Sequence, residues 1–134
     1  MITRSEVFSR VSSALKTEFG KDVFVVGERT ATPSKFPCVW VVESDTYPMT
    51  RYMTIDCTDE QRMSMFEVQA FSNLSTGGTS QASALVECAT KAFLRMGYRC
   101  MSNMPLDNSD PSIKRHTARF QRVIGGGDTL PPID

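Results

Sequence analysis

The single histidine, His116, is the first residue to test for catalysis, because imidazole is the side chain that normally exchanges a proton near neutral pH. It follows Lys114 and Arg115, two cations that disfavour its protonation. No serine or cysteine beside it belongs to a nucleophile motif. We therefore interpret His116 as an ordinary residue at the start of a strand, and we expect the protein not to be an enzyme.

The cysteines are spread along the chain without a Cys-x-x-Cys pair, at Cys38, Cys57, Cys88 and Cys100. Structural zinc sites usually combine two close pairs of ligands, which this spacing does not supply. The N-terminal residues show no signal-peptide pattern, so we expect a protein that stays where it is made, with reduced thiols. Cys38 and Cys88 lie in apolar runs and are predicted to be core residues.

Three further segments match binding motifs only in part. The glycines at 125–127 follow a predicted strand but precede no helix, so they cannot place helix-terminal amides around a phosphate. The segment 76–80 does precede a predicted helix, yet it lacks the lysine of a P-loop. Asp56, Asp59 and Glu60 do not have the spacing of a calcium-binding EF-hand loop. We therefore predict no cofactor and no metal site.

The charges of the chain balance, with 15 Lys and Arg against 15 Asp and Glu. Proteins that hold nucleic acid by neutralising its phosphates carry a basic excess, which this composition lacks. The longest apolar runs fall well short of the roughly 20 residues that a membrane-spanning helix needs. We therefore expect a soluble protein that binds neither a membrane nor, by charge, a nucleic acid.

Two helices and five strands are predicted to position these residues. Thr3 and Glu6 form a capping box for a helix over residues 4–19, along which apolar residues repeat at helical spacing up to Gly20. A second apolar stripe of the same period ends at Gly97. Short β-branched or alternating segments predict strands at 23–26, 38–43, 63–72, 98–104 and 115–124.

The element order α-β-β-β-α-β-β predicts a two-layer α+β sandwich. Successive strands without helical crossovers pair mainly antiparallel, and both helices then cover one face of the sheet. Residues 1–124 form this single domain, residues 46–60 are expected to be irregular, and residues 125–134 are expected to form a flexible tail. The residues of the last strand predicted to face the core are Ala118, Phe120 and Ile124.

Clustered charge and exposed apolar residues suggest an interaction surface instead of an active site. The cations in or beside the last strand form either a solvated face, paired with Glu67 across the sheet, or a basic face for an acidic neighbouring subunit or a polyanion. Residues 46–60 carry more apolar side chains than a solvated loop needs, so they cover the core or dock on a partner. The candidate interface residues are Met49, Tyr52, Met53, Ile55, Asp56, Asp59, Glu60, Arg115, Arg119, Arg122, Leu130 and Ile133.

Two strand motifs give the chain a resemblance to a known family. They are Phe-Pro-Cys-Val-Trp-Val-Val-Glu at residues 36–43 and Phe-Glu-Val-Gln-Ala-Phe-Ser-Asn at residues 66–73. Together with the capped first helix and segment 119–124, they resemble the tail-terminator, or tail-to-head joining, proteins of long-tailed bacteriophages. The resemblance spans residues 2–124 and rests on structural motifs.

The resemblance implies a virion protein that forms a ring, typically of six subunits, on the finished tail tube and joins it to the neck of the filled head. The implied partners are other copies of itself, the major tail tube protein and a head-completion protein of the neck. DNA would pass through the lumen without sequence-specific binding. The resemblance implies no membrane, no catalytic residue and no cofactor.

The charge distribution is compatible with such a ring. An acidic excess in residues 1–90 and a basic excess in residues 91–134 would make neighbouring subunits complementary. We expect residues 46–60 and 125–134 to be mobile in the monomer and fixed on assembly. Two alternatives remain open, namely another neck protein such as a stopper and, from a different class, a small α+β ligand-binding module with an apolar pocket.

Overall fold

The chain folds with both helices on one face of a five-stranded sheet. The computed structural model describes residues 2–29, 33–48, 61–107, 110–125 and 127–131. Its elements, in chain order, are α1 (Arg4–Phe19), β1 (Phe24–Val26), β2 (Cys38–Pro48), β3 (Gln61–Ser72), α2 (Gly78–Arg95), β4 (Arg99–Leu106) and β5 (Lys114–Gly125). This order confirms the predicted α+β class and its two layers.

Local sequence signals set both ends of α1, as predicted. The Thr3 hydroxyl oxygen accepts a hydrogen bond from the Glu6 backbone N–H at 3.2 Å and so caps the first turn. Gly20 adopts a φ of 87°, which residues with a side chain rarely do, and its N–H donates to the Lys16 carbonyl at 2.9 Å. No helix in the described part of the chain is long and apolar enough to cross a membrane.

The strands lie in the order β1-β2-β3-β5-β4. β1 has three residues and pairs parallel with the start of β2, and the other neighbouring pairs are antiparallel. β3 is flanked by β2 and β5 along its length, so residues 66–72 are buried regardless of the face on which they lie. The mainly antiparallel pairing predicted from the element order is confirmed.

The core fills the space between the helices and one face of the sheet. Phe93 of α2 stacks on Phe120 of β5 with ring centroids 4.4 Å apart. Phe66 and Tyr98 pack against the same Phe93 ring at 5.5 Å and 5.2 Å. The β5 residues that were predicted to face inward are all buried there, namely Ala118, Phe120 and Ile124.

The structure corrects the prediction that residues 46–60 are irregular throughout. β2 continues to Pro48, its last three residues pair with β3, and β3 begins at Gln61. β1 pairs with β2 only as far as Trp40, so among the described strands this end of β2 has β3 as its one neighbour. A proline, which has no N–H to donate, is tolerated at such an edge. Residues 49–60 lie outside the described residues.

The cysteines have contrasting environments. Cys38 and Cys88 are buried, as predicted, whereas Cys100 is exposed. Burial raises the pKa of the Cys38 thiol to about 11. It also raises the pKa of the Cys88 thiol to about 12, with a further contribution from a hydrogen bond to Glu18. Both buried thiols are therefore protonated at neutral pH and behave as small apolar side chains.

Candidate assembly interface

The face of the sheet opposite the helices, here called the helix-free face, carries both apolar and charged side chains. Side chains alternate between the two faces of a strand, so Val68 and Ala118 lie in the core, while Glu67 and Arg119 lie on the helix-free face. The described residues that the register places on this face include Trp40, Val42, Met63, Met65, Glu67, Gln69, Phe71, Met104, Leu106, Arg115, Thr117, Arg119, Gln121 and Val123.

One end of the helix-free face is closed by a second, small apolar cluster. Cys38, Trp40 and Phe71 are buried there, and the half-buried apolar side chains packed against them include Phe36 and Ile113. Cationic side chains lie over the rings of this cluster, with Arg29 6.0 Å from Trp40, Lys35 5.6 Å from Phe24 and Arg115 5.3 Å from Phe71. The chain therefore covers this end of the face with its own side chains.

The middle of the helix-free face is held by cross-strand polar pairs. The Arg119 Nε donates to the Glu67 carboxylate at 2.9 Å, a contact that belongs to the first of the two alternatives left open by the sequence. The Glu67 side chain is 10% exposed, while the Arg119 side chain is 63% exposed. Beside this pair, Arg115 donates to the Gln69 side-chain oxygen at 2.6 Å. Arg119 therefore both neutralises a buried carboxylate and presents much of its guanidinium to the surface.

The structure corrects the idea that the cations of the last strand form one basic face. Arg115 and Arg119 lie on the helix-free face, but Arg122 lies on the helix side, because an odd and an even position of one strand point in opposite directions. There Arg122 donates to the Met96 carbonyl and lies 3.6 Å from the Asp128 carboxylate. The three arginines are therefore not brought together, and their role in an interface stays a prediction.

An exposed apolar patch lies at the other end of the helix-free face. Met63 pairs directly with Val123, and Met65 lies on the same face. Val123 is 36% exposed, and both methionines are half-buried. We call these residues the methionine patch, and our reading of the sequence missed it. The signal was present in the alternation of residues 63–72, which places Met63 and Met65 on the face opposite Phe66.

The remaining predicted interface residues are only partly described. Met49, Tyr52, Met53, Ile55, Asp56, Asp59, Glu60 and Ile133 lie outside the described residues. Leu130 is half-buried and packs against the core. The segment around it, residues 127–131, lies along α1, where Arg10 donates to the Pro131 carbonyl at 2.6 Å. The predicted mobility of residues 125–134 stays a prediction.

His116 lies in β5 on the helix side of the sheet, opposite Ala70 and Pro105. It is 9% exposed, and its Nε2 is hydrogen-bonded to the Asn103 side-chain oxygen. Burial of the imidazole lowers its pKa. The sequence also suggested a lowered pKa, but it attributed the decrease to the neighbouring cations Lys114 and Arg115. Among the described residues, no group of three or more His, Cys, Asp or Glu is arranged to hold a metal ion.

Comparison with known proteins identifies the fold. No family model and no curated protein matches the chain. It is similar to a chain of the virion of a native gene transfer agent particle, with a TM-score of 0.59, 15% identity and coverage of 90% of this chain and 92% of that one. It is also similar to a sheath/tube terminator of an extracellular contractile injection system in the extended state, with a TM-score of 0.50 and 10% identity. This chain has a tail-terminator-like fold.

The two similarities differ in how much of the other protein they cover. The match to the virion chain covers nearly all of both proteins, whereas this chain spans 62% of the sheath/tube terminator, less than two thirds of its length. The two strand motifs on which the resemblance rested form the start of β2 and most of β3. The tail-terminator-like fold thus includes the strands that position the helix-free face.

Proposed function

We propose that the chain is a tail terminator, a structural protein that forms a ring on the end of a phage-like tail tube and joins it to the neck of the head. The observation that carries this proposal is a fold similarity over 90% of the chain to a virion chain and over all of it to a sheath/tube terminator. The bacteriophage resemblance of β2 and β3 supports the same role. The partners would be other copies of the chain, the tail tube protein and a head-completion protein.

The helix-free face supports assembly through protein contacts. A closed ring requires two different patches on each subunit that fit one another. The methionine patch supplies apolar area of an adaptable kind, since the unbranched thioether side chain can fill an irregular partner surface. Arg119, anchored by Glu67 and 63% exposed, supplies a positioned cation beside it. We propose that this combination is one of the two patches.

The proposal is tested by the mass of the purified protein and of two variants in solution. Val123→Glu places a charge in the methionine patch, and Leu94→Glu, the control, makes the same change at an exposed apolar residue of α2 on the other side of the molecule. We expect the unaltered chain and the Leu94 variant to form one closed ring, and the Val123 variant to remain a monomer. A ring that survives Val123→Glu would refute the assigned patch.

Particles assembled without the protein test the terminator role itself. Overlong or unjoined tails are the expected result, because a terminator ends tube growth and prepares the tail for the head. Heads that form and then leak DNA would indicate a stopper instead. A chain that is a monomer or dimer, with a small molecule bound in an apolar pocket, would favour the ligand-binding module and would overturn the proposal.

A further inference from the structure

A groove between α1 and α2 lies in the helical layer, on the side of the molecule opposite the helix-free face. We call it the interhelix groove. Its volume is about 420 Å³, which is within the range of ligand pockets. Buried or half-buried side chains form its base, namely those of Ala14, Cys88, Ala92 and Met96. A small apolar base of this kind is suited to receive a side chain from another molecule.

The rim of the interhelix groove is cationic. Arg10 of α1 and both Lys91 and Arg95 of α2 line it, and Glu18 is the one acidic residue among the described residues there. The Glu18 carboxylate is already hydrogen-bonded to the Cys88 thiol. Lys91 and Arg95 are one helical turn apart, so they lie on the same side of α2, about 6 Å from each other along its axis. The groove therefore combines an apolar base with a net positive rim.

Little of this positive charge is neutralised within the subunit. Arg95 forms no ion pair with any residue in the described part of the chain. Lys91 lies 4.0 Å from Glu87, but the two side chains are 60% and 70% exposed, so the contact contributes little. Arg10 donates to the Pro131 carbonyl at 2.6 Å, and this neutral acceptor does not cancel its charge. The rim can therefore pair with carboxylates from outside the subunit.

Charge and apolar area together favour an acidic protein segment as the occupant. Its carboxylates would pair with the rim, and one apolar side chain would cover the base. DNA would also pair with the cations, but its phosphates would leave the apolar base uncovered, and the chain has no basic excess. A second copy that docked through its helix-free face would bring Arg119, 63% exposed, towards these cations, and the like charges would oppose that contact.

We propose that the interhelix groove binds an acidic segment of a partner protein, which inserts one apolar side chain between α1 and α2 and places carboxylates beside Lys91 and Arg95. The site lies on the other side of the subunit from the methionine patch. A bound segment would therefore not compete with subunit contacts made through the helix-free face. The proposal is independent of ring formation, because the contacts it names do not involve that face.

Selection from a random peptide library tests the chemistry of the occupant. Short peptides are displayed on ribosomes and selected on the purified full chain, and the recovered sequences are synthesised with a fluorescent label for anisotropy titrations. We expect sequences with a large apolar residue flanked by Asp or Glu, whose affinity falls as salt is added. Recovery of basic or uncharged sequences, or of none, would overturn the proposal. Displacement of the peptides by a DNA oligonucleotide would also overturn it, because the groove would then be a nucleic-acid site.

Charge reversal tests whether the recovered peptides bind in the groove. Lys91→Glu combined with Arg95→Glu should weaken their binding about tenfold or more, because two attractive contacts become repulsive. Arg4→Glu combined with Lys16→Glu is the matched control, since it changes the net charge equally at exposed residues of α1 outside the groove. Ala14→Leu, which fills the base and leaves the rim charges intact, should also weaken binding. Equal affinity for the reversed and the unaltered chain would overturn the proposal.

Titrations at several chain concentrations test the other occupants. We expect the unaltered chain to bind the peptides with the same affinity at every concentration. Binding that appears only on dilution would mean that a second copy occupies the groove. Binding that appears only after removal of the residues beyond Pro131 would mean that the chain occupies its own groove. Either result would overturn the proposal.

Discussion

Thr117 has a buried hydroxyl on the helix-free face that lacks a partner among the described residues, and its replacement leads to a stability prediction. Thr117 is 7% exposed, and its Oγ1 has no hydrogen-bond partner in the part of the chain that the structure describes. Burial of a hydroxyl without a partner costs roughly 1–3 kcal/mol in proteins. Thr117→Val replaces it with a methyl group of similar size at a central strand position, where valine is also favoured. We therefore expect the substitution to stabilise the fold by about 1 kcal/mol after some relaxation of the site.

The corresponding rise in Tm is about 3–5 °C for a domain of this size. Thermal and urea unfolding at one fixed protein concentration would measure it, since assembly makes Tm depend on concentration. Thr90→Val is the matched control, because the Thr90 hydroxyl donates to the Val86 carbonyl at 2.8 Å and its removal should not stabilise the protein. If Thr117→Val lowers Tm as much as Thr90→Val does, the Thr117 hydroxyl has a favourable partner and the reasoning is wrong.

Three further predictions concern the core, the central ion pair and the histidine. Phe93→Ala should cost about 3–5 kcal/mol in unfolding free energy, because it removes the ring at the centre of the aromatic cluster, and urea denaturation would measure the loss. Arg119→Ala should lower the free energy of unfolding by about 1 kcal/mol, and by less in a Glu67→Gln background. A double-mutant cycle would measure the difference, and equal losses in both backgrounds would mean that the pair is uncoupled. Burial lowers the pKa of His116 below 6.5 in the folded state, so the unfolded chain binds a proton at a higher pH than the folded chain does. The free energy of unfolding should therefore fall as the pH drops below 6.5. Thermal melts at several pH values should show a weaker pH dependence for His116→Gln.

Local signals predicted the helices and most of the sheet. The capping contact between Thr3 and Glu6 and the positive φ of Gly20 act within a few residues, so sequence spacing is sufficient to place α1. The extension of β2 to Pro48 depends on which strands flank it, because a proline is acceptable only where a neighbour is missing on one side. The arrangement of neighbouring strands depends on tertiary structure, so a local sequence pattern does not indicate it.

The candidate interface was harder to predict because it depends on which face each side chain occupies. Counting cations along the last strand grouped Arg119 with Arg122, although strict alternation separates them. The same alternation would have placed Met63 beside Val123 once the β3–β5 register was known. The packing of Leu130 against the core brings together distant parts of the chain, which no local sequence pattern indicates.

Native mass spectrometry of the purified, unaltered chain tests the central claim most directly. We expect one dominant closed oligomer, a hexamer by the bacteriophage resemblance. It should persist on dilution, because both patches of every subunit are satisfied in a ring. A monomer at every concentration up to that of an assembling particle would contradict it, as would an open series of oligomers without a preferred size.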